Sequence, residues 1–179
     1  MNYSVIKEYD IVNGPGCRTT LFVSGCRNHC EGCFQPETWN FAYGQAFDEE
    51  TRRYILDSLE PEYVAGLTLL GGDPFEEENQ EALLGLLEQI RERYGNSRTI
   101  WAYTGYVYER DLVPGGRKHT DATDRILAAL DVLVDGPFIL EQRDTDLLFR
   151  GSPNQRIIYL HGEPPEDVIP GTVPLEKLR

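Results

Sequence analysis

The sequence predicts an α/β fold, a partial (open) β/α barrel with a mostly parallel sheet. Apolar or β-branched runs alternate with segments of helical periodicity, an order typical of parallel strands joined by right-handed crossovers. The chain has 179 residues, fewer than a closed (β/α)8 barrel usually takes. Its unusual motifs follow predicted strands, and ligand sites in such folds lie at the C-terminal ends of the strands.

The first predicted helix lies between the first two predicted strands along the chain. Residues 19–24 are β-branched and apolar, which predicts a first strand, and Cys26 follows it almost directly. A helix is expected to begin at Asp48, a suitable N-cap, and to bury one apolar face. That face consists of Ile55, Leu56 and Leu59. Residues 64–70 are apolar enough for a strand that is covered on both faces.

The second predicted helix has the clearest signals. Asp73 fits an N-cap, Pro74 the first helical position and Glu76 the third, where its carboxylate would reach back to the cap. Apolar residues recur at helical spacing as far as Tyr94, and Gly95 is a suitable C-terminal stop.

The remaining elements are shorter. Residues 99–103 predict a third strand, and the polar residues 107–120 predict a surface excursion. A helix is expected over 121–130. Residues 132–134 and 155–160 predict two further strands.

The chain is expected to form one barrel domain over residues 1–160, followed by a Pro-rich C-terminal tail over 161–179 that lies on the surface or is partly disordered. The net charge is −13, which makes nucleic acid or an anionic membrane an unsuitable partner. No apolar run is long enough to span a bilayer, and the N-terminus lacks a signal-peptide pattern. A cytoplasmic location with reduced thiols is therefore expected.

Three of the four cysteines, Cys26, Cys30 and Cys33, form a C-x3-C-x2-C motif. Three thiolates can hold three irons of a four-iron cluster and leave the fourth iron open to a substrate, as an open position does in a catalytic zinc site. The position of the motif after a predicted strand favours this interpretation.

Three alternatives compete for the same cysteines. A zinc site would need a fourth ligand, and the histidines available are His29, His119 and His161. A disulfide is a second alternative. The third is a helix with the cysteines in its buried face, although the loop-forming residues Gly25, Asn28 and Gly32 count against a helix. Cys17 is interpreted as a small, at least partly buried residue outside the motif.

Gly71 and Gly72 follow the second predicted strand. A turn before a capped helix explains Asp73 and Pro74 but not two consecutive glycines. Residues without Cβ let a backbone approach a ligand closely, and the helix N-terminus that follows favours a carboxylate. The turn and the ligand site remain open as explanations.

Taken together, these motifs resemble those of the radical S-adenosylmethionine (SAM) enzymes, and within them the activating proteins of anaerobic ribonucleoside-triphosphate reductases. The resemblance spans nearly everything from residue 10 to 156. The segments that carry it are 10–16, 20–26, 30–34, Gly71-Gly72-Asp73-Pro74, Tyr103-Thr104-Gly105-Tyr106, 132–136 and 150–155.

The resemblance implies a radical SAM fold with one 4Fe-4S cluster, held by the three cysteines of the motif, and with SAM on the open iron. It assigns the methionine end of SAM to Gly71, Gly72 and Asp73, the adenosine to Gly32, Cys33 and Phe34, and further polar contacts to Thr104 and Asn154. Many radical SAM enzymes have an aromatic residue where this chain has Gly32.

The implied reaction is reductive cleavage of SAM to methionine and a 5′-deoxyadenosyl radical, which abstracts hydrogen from a glycine Cα to give a glycyl radical and 5′-deoxyadenosine. The implied partners are the glycine-bearing loop of the large reductase subunit and, because the chain has no flavin or nicotinamide motif, a flavodoxin or ferredoxin as electron donor. Two alternatives remain: an activase of another glycyl-radical enzyme such as pyruvate formate-lyase, and a non-enzymatic zinc or iron–sulfur binding module.

Overall fold

A computed structural model describes residues 1–161, 169 and 171–178, and it contains one eight-stranded sheet in the order β3-β1-β2-β4-β5-β6-β7-β8. The strands are β1 (Asn2–Asp10), β2 (Cys17–Val23), β3 (Gln45–Ala46), β4 (Val64–Gly71), β5 (Thr99–Tyr103), β6 (Val132–Asp135), β7 (Arg156–Tyr159) and β8 (Thr172–Pro174). The helices are α1 (Glu49–Ser58), α2 (Glu77–Tyr94) and α3 (Thr123–Ala129). Within this described part of the chain, no helix has the length and apolar character needed to cross a membrane.

The centre of the sheet is parallel. The pairs β2–β4, β4–β5 and β5–β6 are all parallel, and α1, α2 and α3 lie in the three connections. The prediction of a mixed α/β fold with a mostly parallel, open sheet is therefore confirmed.

Two connections contain no crossover α-helix, and the strands that they join are antiparallel. The turn at residues 11–16 makes β1 and β2 antiparallel, as expected of a hairpin connection. Between β6 and β7 the chain forms only a short 3-10 turn, Leu140–Gln142, and these strands are antiparallel as well. The strand β1 was not predicted from the sequence, so the strand before Cys26 is the second along the chain and not the first.

The helices cover one face of the sheet. Leu21, Leu67, Leu69 and Ile100 point to that face and form the main core together with apolar side chains of the helices, among them Leu83, Leu87 and Ile90. A smaller cluster lies apart from this core and consists of Trp101, Val132, Val134 and Ile157. Side chains alternate along a strand, which places Trp101 and Ile100 on opposite faces.

The predicted capping box at Asp73 and Glu76 is wrong. Helix α2 begins at Glu77, and its N-cap residue, Glu76, makes no side-chain capping bond. The Glu76 carboxylate instead binds groups from distant segments, and that of Asp73 binds Thr104 and Gly105 in addition to the local Phe75 N–H at 3.0 Å. The C-terminal stop is confirmed, since Gly95 follows the helix with φ +56°.

Two segments predicted as peripheral are partly packed. Residues 107–120 include a π-helical turn, Tyr108–Leu112, and the side chains of Asp111 and Lys118 are buried. Within the predicted tail, β8 pairs in parallel with β7, and Leu175 and Leu178 pack against the main core. Residues 162–168, 170 and 179 of that tail lie outside the described residues.

Candidate functional site

One cleft of about 780 Å³ borders the C-terminal ends of the central strands, and its volume is typical of a small-molecule site. The predicted site residues that line it are Cys26, Cys30, Gly32, Cys33, Phe34, Gly71, Gly72, Asp73 and Thr104. Asn154 is not among the lining residues, and its side-chain amide donates to the Pro137 carbonyl at 2.8 Å. The structure thus brings together all of the predicted site residues except Asn154.

The cysteine loop, residues 26–34, is a non-helical segment held by backbone hydrogen bonds. The Gly25 N–H donates to the Thr38 carbonyl at 2.8 Å, and the Cys26 N–H donates to the Trp39 carbonyl at 3.2 Å. All four cysteines are free thiols. The structure therefore contradicts both the helical and the disulfide alternatives.

Packing within the protein is a further explanation for the two consecutive glycines, besides the turn and the ligand site that the sequence suggested. Gly72 donates its N–H to the Val23 carbonyl at 2.7 Å, and a Cβ on Gly72 would lie 2.5 Å from the Gly25 carbonyl oxygen. Gly71 has φ +107°, and a Cβ there would lie 2.6 Å from the Val23 carbonyl oxygen. The missing side chains allow β4 to pack against the start of the cysteine loop, and they also leave both backbones at the cleft.

Asp73 is a buried carboxylate that joins three segments around the cleft. It accepts hydrogen bonds from the Thr104 hydroxyl at 2.8 Å, the Gly105 N–H at 2.9 Å and the Asn28 side-chain amide at 3.0 Å. Burial raises the pKa of Asp73 to about 7, although the hydrogen-bond donors favour the charged form. Asp73 therefore fixes Thr104 and the middle of the cysteine loop.

Glu76 binds the cysteine loop from the other side. Its carboxylate is fully buried and is bonded to Arg27, Tyr106 and Lys118. Burial opposes ionisation, but these donors together lower the pKa of Glu76. This cluster could not be predicted from the sequence, because its members lie 30 to 49 positions from Glu76 and no local pattern connects them.

The three thiols differ in burial. Burial, with the nearby charge of Asp73, raises the pKa of Cys26 to about 12, and burial also raises the pKa of Cys30. Both groups would have to release a proton on binding a metal, because the thiolate is the ligand form. Cys17 lies at the opposite end of β2 from the motif and does not line the cleft.

The histidines lie outside the lining of the cleft. The His29 ring stacks on Trp39 with centroids 4.6 Å apart, and His119 lies 3.2 Å from Asp124. His161 is 3.0 Å from the Ala128 carbonyl. Among the described residues, no three His, Cys, Asp or Glu side chains converge on a position for a single metal ion.

The opening of the cleft carries exposed apolar side chains, which we call the rim: Ile11, Val12, Phe34 and Leu148. Each is more than half exposed, and Phe34 is 74% exposed. Clustered exposed apolar groups typically mark sites of interaction. The rim residues line the same cleft as the three thiols.

Comparison with known proteins shows which family the chain is similar to. Residues 12–158 match the family model of a 4Fe-4S single cluster domain. A relative named anaerobic ribonucleoside-triphosphate reductase-activating protein, from Enterobacteria phage T4, is 40% identical over 157 residues, which cover 88% of this chain and 93% of the relative.

Bacterial relatives have the same name. The protein from Haemophilus influenzae is 39% identical over 160 residues, covering 88% of this chain and 97% of the relative. The protein from Escherichia coli K12 is 36% identical over 162 residues, which cover 89% of this chain and 99% of the relative.

Proposed function

Because the chain belongs to the family of anaerobic ribonucleoside-triphosphate reductase-activating proteins, we propose that it activates such a reductase by reductive cleavage of SAM and hydrogen abstraction from a glycine Cα. The observation that carries this proposal is one cleft lined by three free thiols, the Gly71-Gly72 turn and Asp73. The fold would then be a partial barrel of the radical SAM type, with residues 1–160 as its domain.

The residues present fit a 4Fe-4S cluster. Cys26, Cys30 and Cys33 would each bind one iron, and they lie on a loop whose backbone is fixed at Gly25 and Cys26. Three protein thiolates leave one corner of a four-iron cluster without a protein ligand. The chemistry that this cluster and SAM supply when bound is one-electron cleavage of the C5′–S bond, giving methionine and a 5′-deoxyadenosyl radical for the hydrogen transfer.

The remaining lining residues would bind and orient SAM. Gly71, Gly72 and Asp73 would flank its methionine end, because their backbone lies beside the cysteine loop. Gly32 and Phe34 would flank the adenosine, with Thr104 as a further polar group at the cleft wall. Asn154 is omitted from this set, since its amide is bonded to Pro137.

The rim gives the open side of the cleft an apolar surface. A radical intermediate must be kept from water and other hydrogen donors. We propose that the glycine-bearing loop of the reductase covers the rim and completes the enclosure. A flavodoxin or ferredoxin in the cytoplasm would supply the electron.

Anaerobic reconstitution with iron and sulfide, followed by SAM, dithionite and the reductase, tests this function. We expect 5′-deoxyadenosine and a glycyl-radical signal in electron paramagnetic resonance (EPR). Cys26→Ala should abolish both products, whereas Cys17→Ala should retain them because Cys17 lies at the far end of β2.

Two results would contradict the proposal. Absence of 5′-deoxyadenosine from the cluster-loaded protein would favour a non-enzymatic binding module. A glycyl radical on pyruvate formate-lyase but not on the reductase would reassign the partner and keep the chemistry.

A further inference from the structure

Glu76 is a fully buried carboxylate with four charged or polar donors. Its Oε1 accepts from the backbone N–H of Arg27 at 2.7 Å and from the Tyr106 hydroxyl at 2.6 Å. Its Oε2 accepts from Arg27 Nη1 at 2.7 Å and from Lys118 Nζ at 2.8 Å. The carboxylate therefore joins the cysteine loop to residues that follow β5 and to the segment before α3.

Helix α2 does not explain this arrangement. Glu76 precedes the helix, but its side chain makes no capping bond to the first turn. Burying a carboxylate costs several kcal/mol unless ion pairs and hydrogen bonds compensate for it. Here the compensating groups come from Arg27, Tyr106 and Lys118, so the contacts of the buried charge are with other segments.

The bond to the Arg27 N–H is the important contact, because this peptide group directly follows Cys26. It restrains the backbone that sets the direction of the Cys26 thiol. The loop needs such restraint, since His29 has φ +47° and Gly32 has φ +70°, both in the left-handed region. A non-glycine residue rarely adopts that region without surrounding contacts.

We propose that Glu76 is a positioning residue that holds the cysteine loop, and thereby the Cys26 thiolate, in the geometry that binds the cluster. The inference rests on the proposed function, because it concerns the group that the three thiolates would hold. Groups behind metal ligands typically change metal affinity or activity by about 10- to 100-fold when mutated. Glu76 would act in this way through the Arg27 N–H, because Glu76 itself does not line the cleft.

The test is the rate at which reconstituted protein loses iron to a chelator, together with the EPR spectrum of the reduced cluster. In Glu76→Gln an amide replaces one of the two acceptor oxygens, and we expect iron loss to be about tenfold faster with a changed EPR line shape. Both readouts are taken well below the unfolding temperature of each variant, so lower global stability alone would not move them.

Glu78→Gln is the matched control. Glu78 pairs with the same arginine from the solvent side and is about half exposed. Removing it leaves the buried contact to the Arg27 N–H in place, so iron loss and the EPR spectrum should stay at the wild-type values. If Glu78→Gln changed iron loss and the EPR spectrum as much as Glu76→Gln does, surface charge would be the cause, and the proposal would be overturned.

Further variants allow for a folding defect in Glu76→Gln. Glu76→Gln/Lys118→Met removes the buried cation with the anion, and Tyr106→Phe removes a single donor and should raise the rate of iron loss less strongly. Wild-type iron loss and EPR spectra in every folded member of this series would overturn the inference. Failure of the wild-type protein to assemble a cluster would instead overturn the proposed function.

Discussion

Arg18 is a cation enclosed within the sheet. It is fully buried, and its guanidinium donates to the Thr68 hydroxyl at 2.7 Å, the Leu67 carbonyl at 2.7 Å and the Thr99 carbonyl at 2.8 Å. Burial lowers the pKa of Arg18 to about 10, because the charged form is poorly solvated there. One side chain from β2 thus connects β4 and β5 at the end of the sheet opposite to the cleft.

Arg18→Met should therefore destabilise the protein. The change leaves buried hydroxyl and carbonyl oxygens without donors, so we expect the free energy of unfolding to fall by about 2–4 kcal/mol. Urea unfolding of the iron-free protein measures this change in the free energy of unfolding. Arg125→Met is the control, since Arg125 is exposed and pairs with Glu88 on the surface, and its effect should stay within about 0.5 kcal/mol. Equal midpoints for the two variants would contradict this account.

At the residue scale, the sequence indicates a site most clearly where its residues are neighbours in the chain. Cys26, Cys30 and Cys33 form such a pattern, although their spacing alone left other kinds of site open, and the structure places all three at one cleft. Asp73 also lines that cleft, but its predicted capping role is wrong, because it binds Thr104 and Gly105 more than 30 positions away. A good local fit to a capping box cannot reveal a competing partner that arrives through the tertiary fold.

Helix α2 is the element that connects the main core to the site. Its apolar side chains pack on the sheet, and Glu76 and Asp73 immediately precede it. Gly85 lies in the middle of the helix, and a Cβ there would first meet the Arg52 guanidinium at 3.7 Å, an ordinary contact with a flexible side chain. The glycine is therefore not required by packing.

Gly85→Ala should stabilise the protein by about 0.5–1 kcal/mol, because alanine loses less conformational entropy in a helix. A higher urea midpoint with unchanged iron content is the expected result. Gly72→Ala is the contrasting variant, since its Cβ would lie 2.5 Å from the Gly25 carbonyl oxygen, and it should lower both stability and iron content. A lower midpoint for Gly85→Ala would show that the position is packed more tightly than its contacts indicate.

The strength of the local apolar pattern explains which elements could be predicted from the sequence. The central strands and their helices have strong apolar periodicity, and the structure confirms them. The strand β1 escaped prediction because it lies near the edge of the sheet and mixes exposed with partly buried residues. The direction of β7 depends on the connection from β6, which contains no α-helix, and this does not appear in the strand's own residues.

At the scale of the whole molecule, the net charge of −13 coexists with an apolar rim and with buried ion pairs. The net charge is the basis for the prediction that nucleic acid is an unsuitable partner, but it does not identify a protein partner. The rim is better suited to the partner contact that we propose, because clustered exposed apolar groups typically mark sites of interaction.

The last part of the chain tests the prediction that residues 1–160 form a domain independent of residues 161–179. β8 extends the sheet beside β7, with Ile157 opposite Thr172 and Tyr159 opposite Pro174, while Leu175 and Leu178 pack against the main core. A variant that ends at His161 would expose the edge of β7 and remove these contacts. We expect its unfolding temperature to fall by more than about 5 °C, since each kcal/mol lost from a chain of this size corresponds to about 2–4 °C.

Iron loading separates stability from function in that variant. β4, β5, β6 and β7 lie between β8 and the strand that leads into the cysteine loop, so reconstitution below the unfolding temperature should give the wild-type iron content. An unchanged unfolding temperature would restore the interpretation of residues 161–179 as a dispensable surface tail. Loss of iron binding in a folded truncated protein would mean that the segment supports the cleft, which extends to Arg150, a residue that lies close to Gly171.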